Sequence, residues 1–249
     1  MELVPPLWEP RTLPLELPAG VAHVWRVRAD VAVEEENRWR TLLAGPEEER
    51  LGRFHFAADA RREAVSRAAL RLLLADYLDV APGKIAFATE AKGKPYVAGS
   101  APDRRIEFNV SHSGEWVLLA FARGRRVGID VERWREIEAE QILRDFFLPE
   151  EVEEWRQWPE DRRPAAFFDA WTLKEAYLKG LGAGLSKPLR SFRVRLGPDA
   201  PPALVWCADE ADAPKKWSLA RLGVAPGYAA ALAAESGIKR VASFTLPPR

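Results

Sequence analysis

Two acidic residues near the middle of the chain, Asp130 and Glu132, have the type and spacing of metal ligands. Apolar and other residues alternate over positions 127–132, which predicts a strand with one face in a core and both carboxylates on the other face. Residues two apart on a strand have Cα atoms roughly 6–7 Å apart, so the two carboxylates can share a divalent cation such as Mg²⁺. An edge strand with a solvated acidic face has the same alternation, and the choice therefore depends on other residues.

A second set of charged residues lies on a helix that the sequence predicts over positions 165–181. Glu175 and Lys179 are four residues apart and share a face of that helix. A routine ion pair explains this spacing equally well. If Glu175 instead reaches Asp130 and Glu132, three acids converge, and such a cluster is costly unless a cation neutralises it.

Basic and hydroxyl side chains that suit a polyphosphate occur upstream. Lys94 belongs to a Lys-Gly-Lys-Pro turn, in which Pro95 holds the lysine in extended geometry. Ser111 and His112 end a predicted strand at a small polar turn, and Lys94, His112 and Lys179 would together supply positive charge for phosphate oxygens. A plain surface turn and a structural histidine are the alternatives. A serine–histidine nucleophile pair does not fit, because adjacent strand residues face opposite ways and no Gly-x-Ser-x-Gly elbow is present.

Helices and short strands must position these groups. After a proline-rich arm at positions 1–20, an arginine-rich helix is predicted over 57–78, where one or two arginines could meet phosphate and the others are solvated or paired. Short strands separated by proline or glycine turns follow, ending with a strand at 240–245. The later part of the chain repeats the layout of helices followed by strands, which predicts two α+β halves, 1–124 and 125–249.

The composition limits the class of protein. The chain has 249 residues, of which 47% are hydrophobic and 30% charged, so a packed core is expected. Basic and acidic residues both total 37, and this balance argues against a protein dedicated to nucleic-acid binding. The single cysteine, Cys207, excludes an intrachain disulfide framework and a cysteine-based zinc site. Without a signal-like start or a run of ~18 apolar residues, a soluble cytoplasmic protein is expected.

Four segments of the chain carry a resemblance to a known family. They are Phe-Asn-Val-Ser-His-Ser at 108–113, Val-Gly-Ile-Asp-Val-Glu at 127–132, Trp-Thr-Leu-Lys-Glu-Ala-Tyr-Leu-Lys at 171–179, and the Gly-Lys-Pro turn at 93–95. The first three, in this order, resemble the three signature motifs of 4′-phosphopantetheinyl transferases, and the turn upstream of them also fits the family. The length resembles the monomeric Sfp type of the family, and the match spans roughly residues 46–196.

The resemblance implies an enzyme that moves 4′-phosphopantetheine from coenzyme A to a serine of an apo acyl, peptidyl or polyketide carrier protein and releases adenosine 3′,5′-bisphosphate. It implies two similar α+β halves related by a pseudo-two-fold, each a small antiparallel sheet packed with helices. Coenzyme A and Mg²⁺ would bind in the cleft between the halves. It further implies a monomer, and from the composition we expect this protein to bind neither nucleic acid nor membrane.

The resemblance also assigns roles around the metal. The family's metal ligands resemble Asp130, Glu132 and Glu175, and its pyrophosphate contacts resemble Lys179 and His112. Transfer to a serine needs an acceptor for the serine proton, and Glu175 is our candidate, acting directly or through a water while it also touches the metal.

Further positions resemble contacts to coenzyme A. Lys94, Pro95 and Ser111 match such contacts, and Arg62 on the arginine-rich helix is the best match for a contact to the 3′-phosphate. Glu151 resembles a further acidic position near the metal, so that Glu151 and a metal-bound water are alternatives to Glu175 as the base.

Segment 133–148 is expected to take part in carrier-protein docking, because apolar residues beside the cleft suit a carrier helix.

Two other functions could use the three acidic residues. A metal-dependent phosphohydrolase would activate water with the same carboxylates. A non-catalytic coenzyme A-binding scaffold would have no need of three acids held together, an arrangement that is unstable without a cation.

Overall fold

The protein combines small sheets with helices, which confirms the predicted α+β class. The computed structural model describes residues 8–10, 16–101, 105–197 and 201–247, so parts of the predicted proline-rich arm lie outside the described residues. The strands are β1 (Glu9–Pro10), β2 (Val21–Arg28), β3 (Phe87–Thr89), β4 (Pro95–Val97), β5 (Ile106–Ser113), β6 (Trp116–Arg123), β7 (Val127–Arg133), β8 (Phe192–Val194), β9 (Leu204–Cys207), β10 (Trp217–Arg221), β11 (Tyr228–Glu235) and β12 (Arg240–Thr245). The helices are α1 (Val33–Arg40), α2 (Gly45–Leu51), α3 (Ala57–Leu78), α4 (Ala139–Phe146), α5 (Pro149–Arg156), α6 (Arg163–Leu181) and α7 (Ala213–Lys216). The pseudo-two-fold relation between two halves stays a prediction.

The first sheet has five strands, in the order β1-β12-β2-β6-β5. β2, β6 and β5 pair antiparallel, whereas β12 runs parallel to β2. The long, alanine- and leucine-rich helix α3 packs on this sheet, and their shared core contains Trp25, Leu73 and Phe108. The strand expected at 240–245 is therefore present, and it joins a sheet whose other long strands come from the first part of the chain. The boundary after residue 124 stays a prediction.

The second sheet has three strands, in the order β10-β11-β7. Helix α6 packs across it, with Phe168, Tyr177 and Trp217 in the common core. Pro164 lies in the first turn of α6, and Gly182 ends the helix in the left-handed conformation at φ 67°. Two small two-stranded sheets, β3-β4 and β8-β9, complete the described part of the chain.

The two large sheets meet where β5 lies beside β7. One edge of β7 pairs with β11, and at its other edge polar side chains of β5 replace a backbone partner. Three hydrogen bonds form this side-chain ladder: Ile129 N–H to Asn109 Oδ1 at 2.8 Å, Val131 N–H to Ser111 Oγ at 3.3 Å, and Arg133 N–H to Ser113 Oγ at 3.1 Å. N–H groups two residues apart on a strand point to the same edge, and side chains two residues apart point to the same face. Every second side chain of β5 can therefore accept a hydrogen bond from every second N–H group of β7.

A close backbone contact fixes β7 against α6. A Cβ atom added at Gly128 would overlap the carbonyl oxygen of Ala176 and the backbone nitrogen of Gly180. Asp130 and Glu132 lie on the same face of β7 as Gly128, since side chains alternate along a strand. Both acids therefore project toward the side of the strand on which α6 lies, while Val127, Ile129 and Val131 enter the core between the sheets.

Within the described ranges, no helix combines the length and the apolar character that crossing a membrane requires.

The contact at Gly128 predicts a large loss of stability in Gly128→Ala. The added methyl group has no space against the α6 backbone, so we expect the free energy of unfolding to fall by about 3 kcal/mol or more. Urea denaturation measures this change. Gly83→Ala is the matched control, because a Cβ at Gly83 has nothing within 4 Å. Equal midpoints for the two variants would contradict the packing described here.

Candidate active site

Asp130 lies at the centre of the cluster predicted from the sequence. Its carboxylate is buried, and Oδ1 accepts hydrogen bonds from Ser111 Oγ at 2.8 Å and from Lys179 Nζ at 2.6 Å. The other oxygen, Oδ2, is buried without a hydrogen-bond partner in the described part of the chain. Burial raises the pKa of Asp130, and the positive charge of Lys179 opposes that rise. The site thus holds a desolvated carboxylate with an unused acceptor.

Glu132 projects from the next position on the same face of β7. Its Oε2 accepts a hydrogen bond from Ser113 Oγ at 3.1 Å and lies 3.1 Å from Arg135 Nη1. The side chain of Glu132 is partly exposed, and that of Arg135 is 61% exposed. Solvent screens such a pair, so the arginine is held weakly.

Helix α6 contributes Glu175 and Lys179, as the sequence predicted. Lys179 bridges Asp130 and Ser111, with its Nζ 3.0 Å from Ser111 Oγ. The pKa of Glu175 is raised, first by burial and then by the negative charge of Asp130, with a further contribution from Glu132. Each of the other two acids therefore disfavours the charge on Glu175, as expected for carboxylates that share one region.

These acids have the chemistry of a Mg²⁺ site, which prefers hard oxygen ligands. Among the described residues, no three acidic, histidine or cysteine side chains are already arranged to hold a metal ion. Lys179 and Arg135 instead neutralise Asp130 and Glu132. The donor types and the orphaned Asp130 Oδ2 fit a divalent cation, and the role of the three acids as ligands stays a prediction.

A pocket of about 170 Å³ lies between α3 and β5, and Glu63, Arg67, Pro95 and His112 are among its lining residues. His112 Nε2 lies 3.7 Å from Glu63 Oε2, and Arg67 Nε lies 3.0 Å from Glu63 Oε1. His112, followed by Arg67, lowers the pKa of Glu63 to about 2. Two of the residues predicted to contact coenzyme A, Pro95 and His112, thus share one pocket with the guanidinium of Arg67.

Arg62 makes contacts within the protein. Its Nε donates to the carbonyl oxygen of Gly114 at 2.9 Å, and its Nη1 lies 2.9 Å from Asp59 Oδ1. Arg62 therefore ties α3 to the turn between β5 and β6. Its contact with the 3′-phosphate stays a prediction.

Lys94 is buried where the two sheets and α6 meet. Its Nζ donates to the carbonyl oxygens of Gly180 at 3.0 Å and Val127 at 3.3 Å, and lies 3.6 Å from Glu107 Oε2. Burial lowers the pKa of Lys94, against the opposite effect of Glu107. These contacts indicate that Lys94 links the two sheets, and its contact with coenzyme A stays a prediction.

Glu151 is fully buried on a different side of α6. It forms an ion pair with Lys174 at 2.7 Å and accepts backbone hydrogen bonds from Leu148 and Val194. Lys174 and Glu175 are consecutive helix residues, whose side chains project about 100° apart. The structure therefore brings Glu151 to Lys174 and not to the face that carries Glu175, and a catalytic role for Glu151 stays a prediction.

Three residues with contacts in this region were not singled out from the sequence as site residues. Arg135 pairs with Glu132, Ser113 bonds the same carboxylate, and Asn109 supplies a rung of the side-chain ladder. The alternation of Asn109, Ser111 and Ser113 is visible in the sequence and is the signal for the ladder. Arg135 has no comparable signal, because an arginine three residues from an acid is common on protein surfaces.

Comparisons with known proteins show the family of this chain. Residues 126–233 match the model of the 4′-phosphopantetheinyl transferase superfamily, and residues 34–123 match the model of a 4′-phosphopantetheinyl transferase N-terminal region. The chain is 35% identical to the 4′-phosphopantetheinyl transferase HetI of a Nostoc species, over 79% of this chain and 83% of the relative. It is 34% identical to the 4′-phosphopantetheinyl transferase Sfp of Bacillus subtilis, over 67% of this chain and 72% of the relative.

The chain therefore belongs to the 4′-phosphopantetheinyl transferase superfamily. The predictions of an Sfp-type relationship and of a 4′-phosphopantetheinyl transferase enzyme are confirmed, and the alternatives of a phosphohydrolase or a passive scaffold are not favoured.

The burial of Lys94 predicts that its removal harms stability. In Lys94→Met, the carbonyl oxygens of Gly180 and Val127 lose a charged donor, while Glu107 keeps its ion pair with Arg105, so we expect the free energy of unfolding to fall by about 2 kcal/mol. Chemical denaturation measures the loss. Lys92→Met, in the same turn but at an exposed position, is the control and should unfold as the unmodified protein does. Unchanged stability of Lys94→Met with weakened coenzyme A binding would instead favour the ligand contact.

Proposed function

We propose that this enzyme transfers the 4′-phosphopantetheine moiety of coenzyme A to a serine of an apo acyl, peptidyl or polyketide carrier protein, with Mg²⁺ as cofactor. The observation that carries the proposal is the contact between Lys179 of α6 and Asp130 of β7, with Glu132 on the same face of the strand and Glu175 close enough for both acids to add to the rise in its pKa that burial causes. In this reaction the serine oxygen forms a bond to the phosphorus that bears pantetheine. The bond from that phosphorus to the pyrophosphate bridging oxygen breaks, and adenosine 3′,5′-bisphosphate leaves.

The three acids would hold the cation. Bound Mg²⁺ would neutralise charge on the pyrophosphate oxygens, which is what a divalent cation supplies in phosphoryl-type transfer. Lys179 already lies 2.6 Å from Asp130 Oδ1 and can turn its ammonium to phosphate as a charged donor. His112 and Arg67, in the pocket between α3 and β5, offer further donors to coenzyme A.

Glu175 is the proposed acceptor of the serine proton. A general base works best when its pKa lies near the working pH, and burial together with Asp130 raises the pKa of Glu175 in that direction. Once the serine proton has moved to the carboxylate, the serine oxygen can form its new bond without carrying a positive charge. Glu175 would act directly or through a water.

A small apolar pocket beside Glu132 is the proposed docking place for the carrier protein. Its volume is about 70 Å³, and its lining residues are Glu132, Arg135, Ile137, Ile142, Phe167, Phe168 and Trp171. Next to it in the chain, Trp134 is 42% exposed and Phe146 is 50% exposed. An apolar face of a carrier helix would cover these side chains and bring its serine to the acids. We also propose that the enzyme acts as a monomer, since one chain supplies both large sheets, and that it acts in the cytoplasm.

Intact-mass spectrometry of an apo carrier protein tests the reaction. With coenzyme A and Mg²⁺, we expect a gain of about 340 Da, one phosphopantetheine, and loss of the gain in EDTA.

The same assay tests Glu175 as the base. Glu175→Gln should lower the turnover rate by about a hundredfold or more, since the amide cannot accept the proton. Glu150→Gln, at an exposed position on α5, is the matched control. Full turnover by Glu175→Gln would exclude it as the base, and no gain on acyl, peptidyl and polyketide carriers would exclude the proposed reaction.

The docking surface predicts a defect that is specific for the carrier. Trp134→Ser should raise the KM for the carrier about tenfold while leaving the KM for coenzyme A unchanged, because an exposed interface tryptophan often contributes more than 1 kcal/mol. Trp206→Ser is the control, since Trp206 on β9 is 46% exposed but belongs to another sheet. Steady-state kinetics with each substrate varied in turn measures both constants. Equal effects of the two substitutions would contradict the proposed surface.

A further inference from the structure

The Ser113 hydroxyl makes two hydrogen bonds that link the backbone of β7 to a carboxylate of the site. It accepts from Arg133 N–H at 3.1 Å and donates to Glu132 Oε2 at 3.1 Å. Ser111 makes the same pair of contacts one rung earlier, to Val131 N–H and Asp130 Oδ1. In both rungs one hydroxyl bonds the acidic side chain and the N–H of the residue that follows it.

The third rung shows which part of this pattern serves the acids. Asn109 Oδ1 accepts from Ile129 N–H at 2.8 Å, and the residue before Ile129 is Gly128, which has no side chain to orient. An amide oxygen can only accept, whereas a hydroxyl accepts and donates at once. Ser111 and Ser113, which lie beside Asp130 and Glu132, can therefore bond both the backbone N–H and the carboxylate. At the rung beside Gly128, the amide oxygen of Asn109 has only a backbone N–H to bind.

The turn that carries Ser113 is held by elements on both sides. Arg62 Nε donates to the carbonyl oxygen of Gly114 at 2.9 Å, and Glu115 N–H donates to Tyr228 Oη at 3.0 Å. Gly114 adopts φ 55°, and a Cβ there would overlap the Tyr228 hydroxyl. Because α3 and β11 both fix this turn, the Ser113 hydroxyl has a defined position relative to β7.

We propose that Ser113 is a positioning residue that orients Glu132 to bind a divalent cation. Ser113 and Arg135 both bind Oε2 of Glu132, and Oε1 takes part in neither bond. The exposed arginine can leave when a cation arrives, whereas the hydroxyl stays fixed to the backbone of β7. This inference rests on the proposed function, because it assumes that Glu132 is a metal ligand.

The test measures how tightly the full chain binds Mn²⁺ in the absence of coenzyme A. The dissociation constant is obtained from the electron paramagnetic resonance signal of free Mn²⁺. In Ser113→Ala we expect the constant to rise about tenfold or more, the usual effect of removing a partner that orients a ligand. Ser113→Thr, which keeps the hydroxyl, should bind Mn²⁺ within about threefold of the unmodified protein. Thermal unfolding of each variant shows that the measurement is made on folded protein.

Asn109→Ala is the matched control, because it also removes one rung of the side-chain ladder but no contact with a carboxylate. It should lower the unfolding temperature as Ser113→Ala does and leave the Mn²⁺ dissociation constant nearly unchanged. Equal loss of Mn²⁺ affinity in both variants, or none in Ser113→Ala, would overturn the inference. If the unmodified protein binds no Mn²⁺, the inference also fails, while gain of phosphopantetheine by a carrier protein would still support the transferase reaction.

Discussion

The side-chain ladder between β5 and β7 is the interaction on which the site depends. Among the described strands, β7 has a backbone partner on one edge only, and an open edge would leave the N–H groups of the buried residues Ile129 and Val131 without acceptors, at a cost of roughly 1–3 kcal/mol each. Asn109, Ser111 and Ser113 supply those acceptors and so join the two large sheets. The hydroxyls of Ser111 and Ser113 accept from the backbone of β7 and also donate to Asp130 and Glu132. The hydrogen bonds that stabilise this junction therefore also position the two carboxylates.

A second constraint acts on the face of β7 that packs against α6. The close approach of Gly128 to Gly180 brings the strand within backbone contact of α6, and that approach lets Lys179 reach Asp130. Burial raises the pKa values of both Asp130 and Glu175, so each of these carboxyl groups takes up a proton more readily than a solvated one.

Much of this arrangement could be predicted from the sequence, because it follows from local periodicity. The alternation around Asp130 and the helical spacing of Glu175 and Lys179 each specify a face, and the family motifs bring the two faces together. Lys94 and Glu151 were less predictable. The sequence around Lys94 does not distinguish a lysine that contacts a ligand from one that donates to the carbonyl oxygen of Gly180. The ion pair between Glu151 and Lys174 depends on how their two helices pack. Side chains that act between distant elements leave no periodic signal.

The position of β12 has a consequence for how the chain acquires its structure. This strand lies between β1 and β2, so that residues 240–245 complete a sheet whose other long strands are made of residues 21–123. During synthesis the early strands leave the ribosome long before their last neighbour exists. Until it arrives, β2 presents an unpaired edge that can pair with other chains. Folding of this sheet is therefore governed by a contact between residues more than two hundred positions apart, and such contacts are slow to form.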